Sequence, residues 1–108
     1  MTEYYSMGFG ATPIAPGTEV VIKRRTFIDF QPAQLIIPAD VAPGLVVVAF
    51  DIGDDPQIAR PTSATEFGEL PGEQSYIRAR RDRQISLTVR NTNKEEVVFY
   101  AILTGEIR

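Results

Sequence analysis

Alternation of hydrophobic and polar residues along the chain predicts short β-strands rather than helices. The clearest alternation covers residues 84–90, where every second residue is apolar, so one face of this strand is expected to be buried. Imperfect alternation over residues 20–30 predicts a long strand that bends or bulges near Arg24. Residues 62–69 suit either a short strand or a helical turn. Less regular apolar runs predict further strands at 35–37, 45–52, 75–80 and 96–104.

Proline–glycine pairs mark turns between these strands. Pro16-Gly17, Pro43-Gly44 and Pro71-Gly72 each suit a type II turn, in which the glycine takes a positive φ. Residues 51–61 contain further breakers and are expected to form a loop. About seven or eight short antiparallel strands, with no helical segment of ten residues, are typical of an all-β sandwich or barrel. We assign this domain to residues 18–108.

The first segment, residues 1–17, has neither the helical nor the strand period and predicts an extended N-terminal arm. It carries aromatic residues that a frayed, solvated terminus usually lacks, namely Tyr4, Tyr5 and Phe9. Fully extended, it would reach roughly 50 Å, at about 3.3 Å per residue. We therefore expect these rings to dock on a neighbouring subunit, with a frayed terminus as the alternative.

Two predicted strands, 45–52 and 96–104, are apolar on both faces. In a two-layer sandwich each strand buries one face against the core, so the second face needs another cover. The chain's own loops or another subunit could supply it, and a short chain has little spare length, which favours a subunit interface. The residues expected at this interface are Val47, Val98, Tyr100 and Ile102.

The residue types present leave few options for catalysis. The chain has no cysteine and no histidine, which removes disulfides, thiolate chemistry, the commonest general base and the commonest transition-metal ligand. No serine lies in a nucleophile elbow and no glycine-rich phosphate loop is present. Asp51, Asp54 and Asp55 could ligate a hard cation, but their spacing is not that of a calcium loop, so a solvated turn is the preferred interpretation. We expect no enzyme activity, no cofactor and no metal site.

Charge bears on the choice of partner. The net charge of −3 argues against a general nucleic-acid binder, so no nucleic-acid partner is expected. The basic cluster at 78–83 suits a solvated sheet edge, a polar contact with another subunit or a phosphate contact. We include Arg78, Arg80 and Arg81 in the predicted subunit interface. The N-terminus lacks signal-peptide features and the longest apolar run is too short to span a bilayer, so no membrane partner is expected.

A resemblance extends over residues 27–105. It is carried by Phe30-x-Pro32-x-x-Leu35-x-Ile37-Pro38, Asp51-Ile52-Gly53, Phe67, Ile85-x-Leu87-x-Val89-x-Asn91-Thr92 and Phe99-x-Ala101-x-Leu103-x-Gly105. In this order the segments resemble the small single-jelly-roll proteins of tailed and related bacterial viruses, although residues 51–60 carry no diagnostic motif.

The resemblance implies a single jelly-roll β-sandwich and a structural role in the virion. Such a protein would bind capsid protein subunits as a cement, decoration or minor capsid protein, often as a homo-oligomer, with an extended terminus clasping a neighbour. The alternative is a carbohydrate-binding or adhesion module on a jelly-roll scaffold, which the absence of tryptophan disfavours. A cupin-like enzyme is disfavoured by the absence of histidine, and an oligonucleotide-binding barrel by the acidic charge.

Overall fold

The computed structural model describes residues 3–68 and 76–107, and the all-β class predicted from the sequence is confirmed. No α-helix occurs among these residues, and none of their helical structure is long and apolar enough to cross a membrane. A single turn of 3-10 helix covers Ala64–Glu66. The strands are β1 (Glu3–Gly8), β2 (Thr12–Ile14), β3 (Glu19–Arg25), β4 (Gln31–Ile36), β5 (Leu45–Ile52), β6 (Asp55–Pro56), β7 (Thr62–Ser63), β8 (Gln84–Asn91), β9 (Val97–Phe99) and β10 (Ile102–Ile107).

These strands form three antiparallel sheets. The largest has the order β3-β8-β5-β6, with β7 also paired to β5; the others are β1-β10-β4 and β2-β9. The prediction that one face of β8 is buried is confirmed, because Ile85, Leu87 and Val89 are all fully buried. The type II turns are confirmed at Gly17 and Gly44, whose φ angles are +70° and +77°. The third predicted turn, Pro71-Gly72, lies outside the described residues.

The N-terminal segment belongs to the chain's own sheets, which corrects the expected arm. β1 pairs with β10 from Glu3↔Ile107 to Gly8↔Ile102, and β2 continues along β9. Between the two stretches the register shifts by one residue, and Gly10, with a φ of +73°, lies in this bulge. Residues 3–14 therefore run as one ribbon against residues 97–107 of the same chain.

Strand β5 corrects a second expectation. Its buried residues are Leu45 and Val47 in the first half but Phe50 and Ile52 in the second. A bulge between Val47 and Ala49 opposite β8 produces this change of phase. The run looks two-sided in sequence because the inward positions switch parity, and Val47, predicted at an interface, is a fully buried core residue.

Other predicted boundaries change as well. Of the strand predicted at 20–30, β3 ends at Arg25 and only an isolated bridge, Phe30↔Ala79, continues the pairing. That bridge is also the only strand-like pairing among the described residues of the segment predicted at 75–80. The expected loop at 51–61 begins with the β5–β6 hairpin, and the run at 96–104 is divided between β9 and β10. The ambiguous segment at 62–69 forms β7 and the 3-10 turn as far as it is described.

One hydrophobic core joins the sheets. Its largest members are four fully buried phenylalanines, at positions 9, 30, 50 and 99. Burying each such side chain contributes about 1.5–3 kcal/mol, so the rings dominate the packing. Phe9 comes from the N-terminal ribbon and Phe30 from the bridge beside β4, so the core depends on segments distant in sequence.

Candidate protein-binding surface

Three large apolar side chains are exposed in a row along β9 and β10. Val98, Tyr100 and Ile102 are 49%, 39% and 41% exposed, and they alternate with the buried residues Phe99 and Ala101. The alternation persists across the break between the two strands, so the three side chains point away from the core together. We call Val98, Tyr100 and Ile102 the ribbon face.

The neighbours of the ribbon face are small or apolar. Cross-strand pairing places Gly8 and Ile36 on either side of Ile102, and Pro13 beside Val98. Paired residues point to the same side of a sheet, so these neighbours share the outward surface. A Cβ added at Gly8 would meet nothing within 4 Å, so this position leaves the flank of the row open. The result is a low apolar strip with no charged residue paired to Val98 or Ile102.

Such a surface can bind by burying apolar area. Removing it from water contributes roughly 25 cal/mol per Å², and Tyr100 brings a hydroxyl that can hydrogen-bond at the edge of a contact. The row was predicted as the uncovered second face of 96–104, and the structure exposes all three residues. Its binding role stays a prediction.

The two tyrosines of β1, Tyr4 and Tyr5, point to opposite faces of the sheet. Tyr4 is 81% exposed and lies on the same outward face as Gly8, opposite Glu106. Tyr5 points inward, where its ring packs on Phe30 with 4.8 Å between ring centroids. Its cross-strand partner is Gly105, where a Cβ would overlap the carbonyl oxygen of Gln31, so this position has no room for a side chain.

One predicted interface residue of the N-terminal segment is therefore corrected. Phe9 is fully buried in the core and donates its backbone N–H to the Ala101 carbonyl (3.0 Å), so it presents no surface. Tyr5 is half-buried against Phe30, and its interface role stays a prediction. Both side chains point inward because the ribbon alternates through Tyr5, Met7 and Phe9, a period that the surrounding glycines and prolines obscured in the sequence.

The predicted arginines lie elsewhere, at the start of β8. Arg80 and Arg81 are exposed and Arg78 is half-buried. A cleft of about 240 Å³ at this end of the molecule is lined by Ile52, Asp55, Ile77, Arg78, Arg80 and Arg83. Phe27, which is 77% exposed and lies two positions after Arg25 in sequence, was missed in the sequence analysis because it fell inside a predicted strand.

The segment that contains Asp51, Asp54 and Asp55 forms a tight turn between β5 and β6. Ile52 pairs with Asp55, and Gly53 takes a φ of +62° at the first position of the two-residue turn, as in a type II′ hairpin. Asp51, Asp54 and Asp55 do not converge, and residues 3–68 and 76–107 contain no group of three acidic side chains placed to hold a metal ion. The type II′ geometry accounts for Gly53 within this run of residues.

Comparison with known proteins adds no relative: no protein family, no curated protein and no solved structure matches this chain.

Proposed function

We propose that this protein is a structural subunit without catalytic activity that binds other protein subunits, including copies of itself, through the ribbon face. The observation that carries the proposal is the row Val98, Tyr100 and Ile102, exposed side by side and bordered by Gly8 and Pro13. We assign it no catalytic residue, cofactor or metal.

The composition of this surface supports a protein partner. Interface cores are depleted of charge and enriched in aromatic residues, and an uncharged strip with a central tyrosine has that composition. A strip of this kind can also meet its own copy across a two-fold axis, because an isologous contact pairs the same patch on both chains. The low profile at Gly8 would allow another chain to approach the row closely.

We further propose that the sheets form a single jelly roll and that the partners are capsid protein subunits, with the protein acting as a cement, decoration or minor capsid component of a virion. The support is the resemblance over residues 27–105 together with the all-β, multi-sheet architecture. Attachment to a repeating lattice would let individually weak contacts add up. The N-terminal segment pairs within the chain's own sheets, so it is not a free arm. In this proposal the ribbon face contacts the neighbouring subunit in place of such an arm.

A matched pair of cysteine variants tests the surface assignment. The chain has no cysteine, so Val98→Cys and Val21→Cys each introduce a single thiol at a half-exposed strand valine, 49% and 56% exposed. The rate of maleimide modification is measured at low and high protein concentration. We expect modification of Val98→Cys to slow by about tenfold at high concentration, as for a thiol buried in a complex, and that of Val21→Cys to stay constant. Equal rates at both concentrations for Val98→Cys would contradict self-association through the ribbon face.

A further inference from the structure

Exposed positive charge is concentrated at one end of the largest sheet. Lys23 and Arg25 end β3, while Arg80, Arg81 and Arg83 precede β8, and all five side chains are exposed. We call these five residues the basic end. The two groups are more than fifty residues apart in sequence and meet because β3 pairs with β8 as far as Arg25↔Gln84.

Thr26 fixes the two groups against each other. It is fully buried, and its hydroxyl donates to the Arg80 carbonyl (2.6 Å) and accepts from the Arg83 N–H (3.1 Å). Its backbone N–H donates to the Arg83 carbonyl (2.9 Å), and its carbonyl accepts from the Asp82 N–H (3.0 Å). Asp82 has a φ of +65°, which completes the turn at 80–83. The basic end is therefore built on a tied backbone that joins the end of β3 to the 80–83 turn.

The five cations of the basic end form no ion pair with a carboxylate of the described residues. No carboxylate oxygen of residues 3–68 or 76–107 lies within 4.0 Å of these five cations. Asp29, the acid beside the turn, accepts the backbone N–H of Arg81 instead. By comparison, Arg90 at the far end of β8 has Glu19 at 3.6 Å. The basic end thus presents guanidinium groups to an external anion.

An aromatic ring and a cleft accompany these charges. Phe27, 77% exposed, directly follows Thr26 in sequence, and Thr26 is the residue that is hydrogen-bonded to the 80–83 turn. Arg80 and Arg83 line the cleft of about 240 Å³, which Ile52 and Ile77 make partly apolar and to which Asp55 contributes one carboxylate. Guanidinium groups bind phosphate oxygens in bidentate fashion, and an exposed ring offers a stacking platform for an unpaired base.

We propose that the basic end binds single-stranded nucleic acid, with the arginines on phosphates and Phe27 stacked on a base. In a duplex the bases are stacked on one another and are not accessible to such a ring. An acidic peptide has no base that could stack on Phe27. An anionic membrane usually requires a larger apolar anchor than one phenylalanine. The net charge of −3 argued against a nucleic-acid partner, but it averages over a chain whose cations are concentrated at this end.

Fluorescence anisotropy with a labelled oligothymidylate of about 15 nucleotides tests the proposal at low ionic strength. We expect Arg80→Glu/Arg83→Glu to weaken binding at least tenfold, and Phe27→Ala by about tenfold. The matched control Arg60→Glu/Lys94→Glu changes net charge equally outside the basic end and should stay within about twofold of wild type. If about three phosphates are contacted, a plot of the logarithm of the association constant against the logarithm of the salt concentration should have a slope of roughly −2.

Several results would overturn the proposal. They are no binding of the oligothymidylate at low salt, an equal loss in the control variant, and no effect of Phe27→Ala. Binding of polyglutamate or of phosphatidylserine vesicles in place of the oligonucleotide would do the same. Circular dichroism melts confirm that each variant is folded. Ile102→Glu, on the ribbon face, should leave oligonucleotide binding unchanged, so the two functions can fail independently.

Discussion

Asn91 offers a quantitative test of how the ribbon is held. This residue is fully buried at the end of β8, and its side-chain amide donates to the carbonyls of Ile14 (2.9 Å) and Glu95 (2.8 Å). Its side-chain oxygen accepts the N–H of Asn93 (2.8 Å). These bonds tie β2 and the turn before β9 to β8. Asn91 therefore determines where β9 begins, and with it the position of Val98 on the ribbon face.

Asn91→Leu keeps the approximate volume and removes all three side-chain hydrogen bonds. At about 1 kcal/mol for each, the free energy of unfolding should fall by about 3 kcal/mol, a large fraction of the total of about 5–15 kcal/mol typical of a domain. With an unfolding entropy of about 2.1 cal/mol/K per residue over 108 residues, this lowers Tm by roughly 13 °C.

Urea unfolding followed by far-UV circular dichroism measures this loss. The matched control is Thr92→Ala in the same turn, which removes one exposed hydroxyl bond to the Gly44 carbonyl (2.6 Å) and should cost less than about 1 kcal/mol. The m value should not change, because both variants unfold the same surface. If Asn91→Leu cost no more than Thr92→Ala, the buried amide would not organise the ribbon.

Three further predictions concern the same framework. Gly105→Ala should cost about 1–3 kcal/mol in urea unfolding, because the new Cβ overlaps the Gln31 carbonyl, whereas Gly8→Ala on the neighbouring strand meets open space and should be nearly neutral. Deleting residues 1–9 removes a strand and two buried core residues, so we expect loss of cooperative thermal unfolding; a folded truncated chain would contradict the ribbon. Burial raises the pKa of Tyr76 from 10.0 to about 12, so the unfolded chain loses this proton first and stability falls as pH rises between those values. In Tyr76→Phe that part of the decline should be absent from pH-dependent unfolding curves.

The fold was predictable where a strand kept one phase throughout. β8 alternates strictly and was predicted with nearly its observed bounds. β5 has apolar residues at almost every position, so the one-residue bulge after Val47 leaves no trace in the pattern. Likewise, the end of β3 depends on hydrogen bonds from Thr26 to residues more than fifty positions away, and no local signal encodes them.

The ribbon face was predictable in part for the same reason. The two-sided pattern identified Val98, Tyr100 and Ile102 as candidates for exposure. Their neighbours Gly8 and Pro13 come from the other end of the chain, and only the pairing of β1 and β2 with β10 and β9 brings them there. An assembled surface of this kind requires a known register, which periodicity alone does not supply.

The most direct test of the central claim is the mass of the protein in solution, measured by size-exclusion chromatography with light scattering over a concentration series. Binding of copies through the ribbon face predicts a mass of at least twice the 12.0 kDa of one chain for the wild type and for the control Val21→Glu. Ile102→Glu places a charge on the strip and should return the mass to 12.0 kDa. A wild-type mass of 12.0 kDa at every concentration, or an Ile102→Glu variant that associates as the wild type does, would contradict the account.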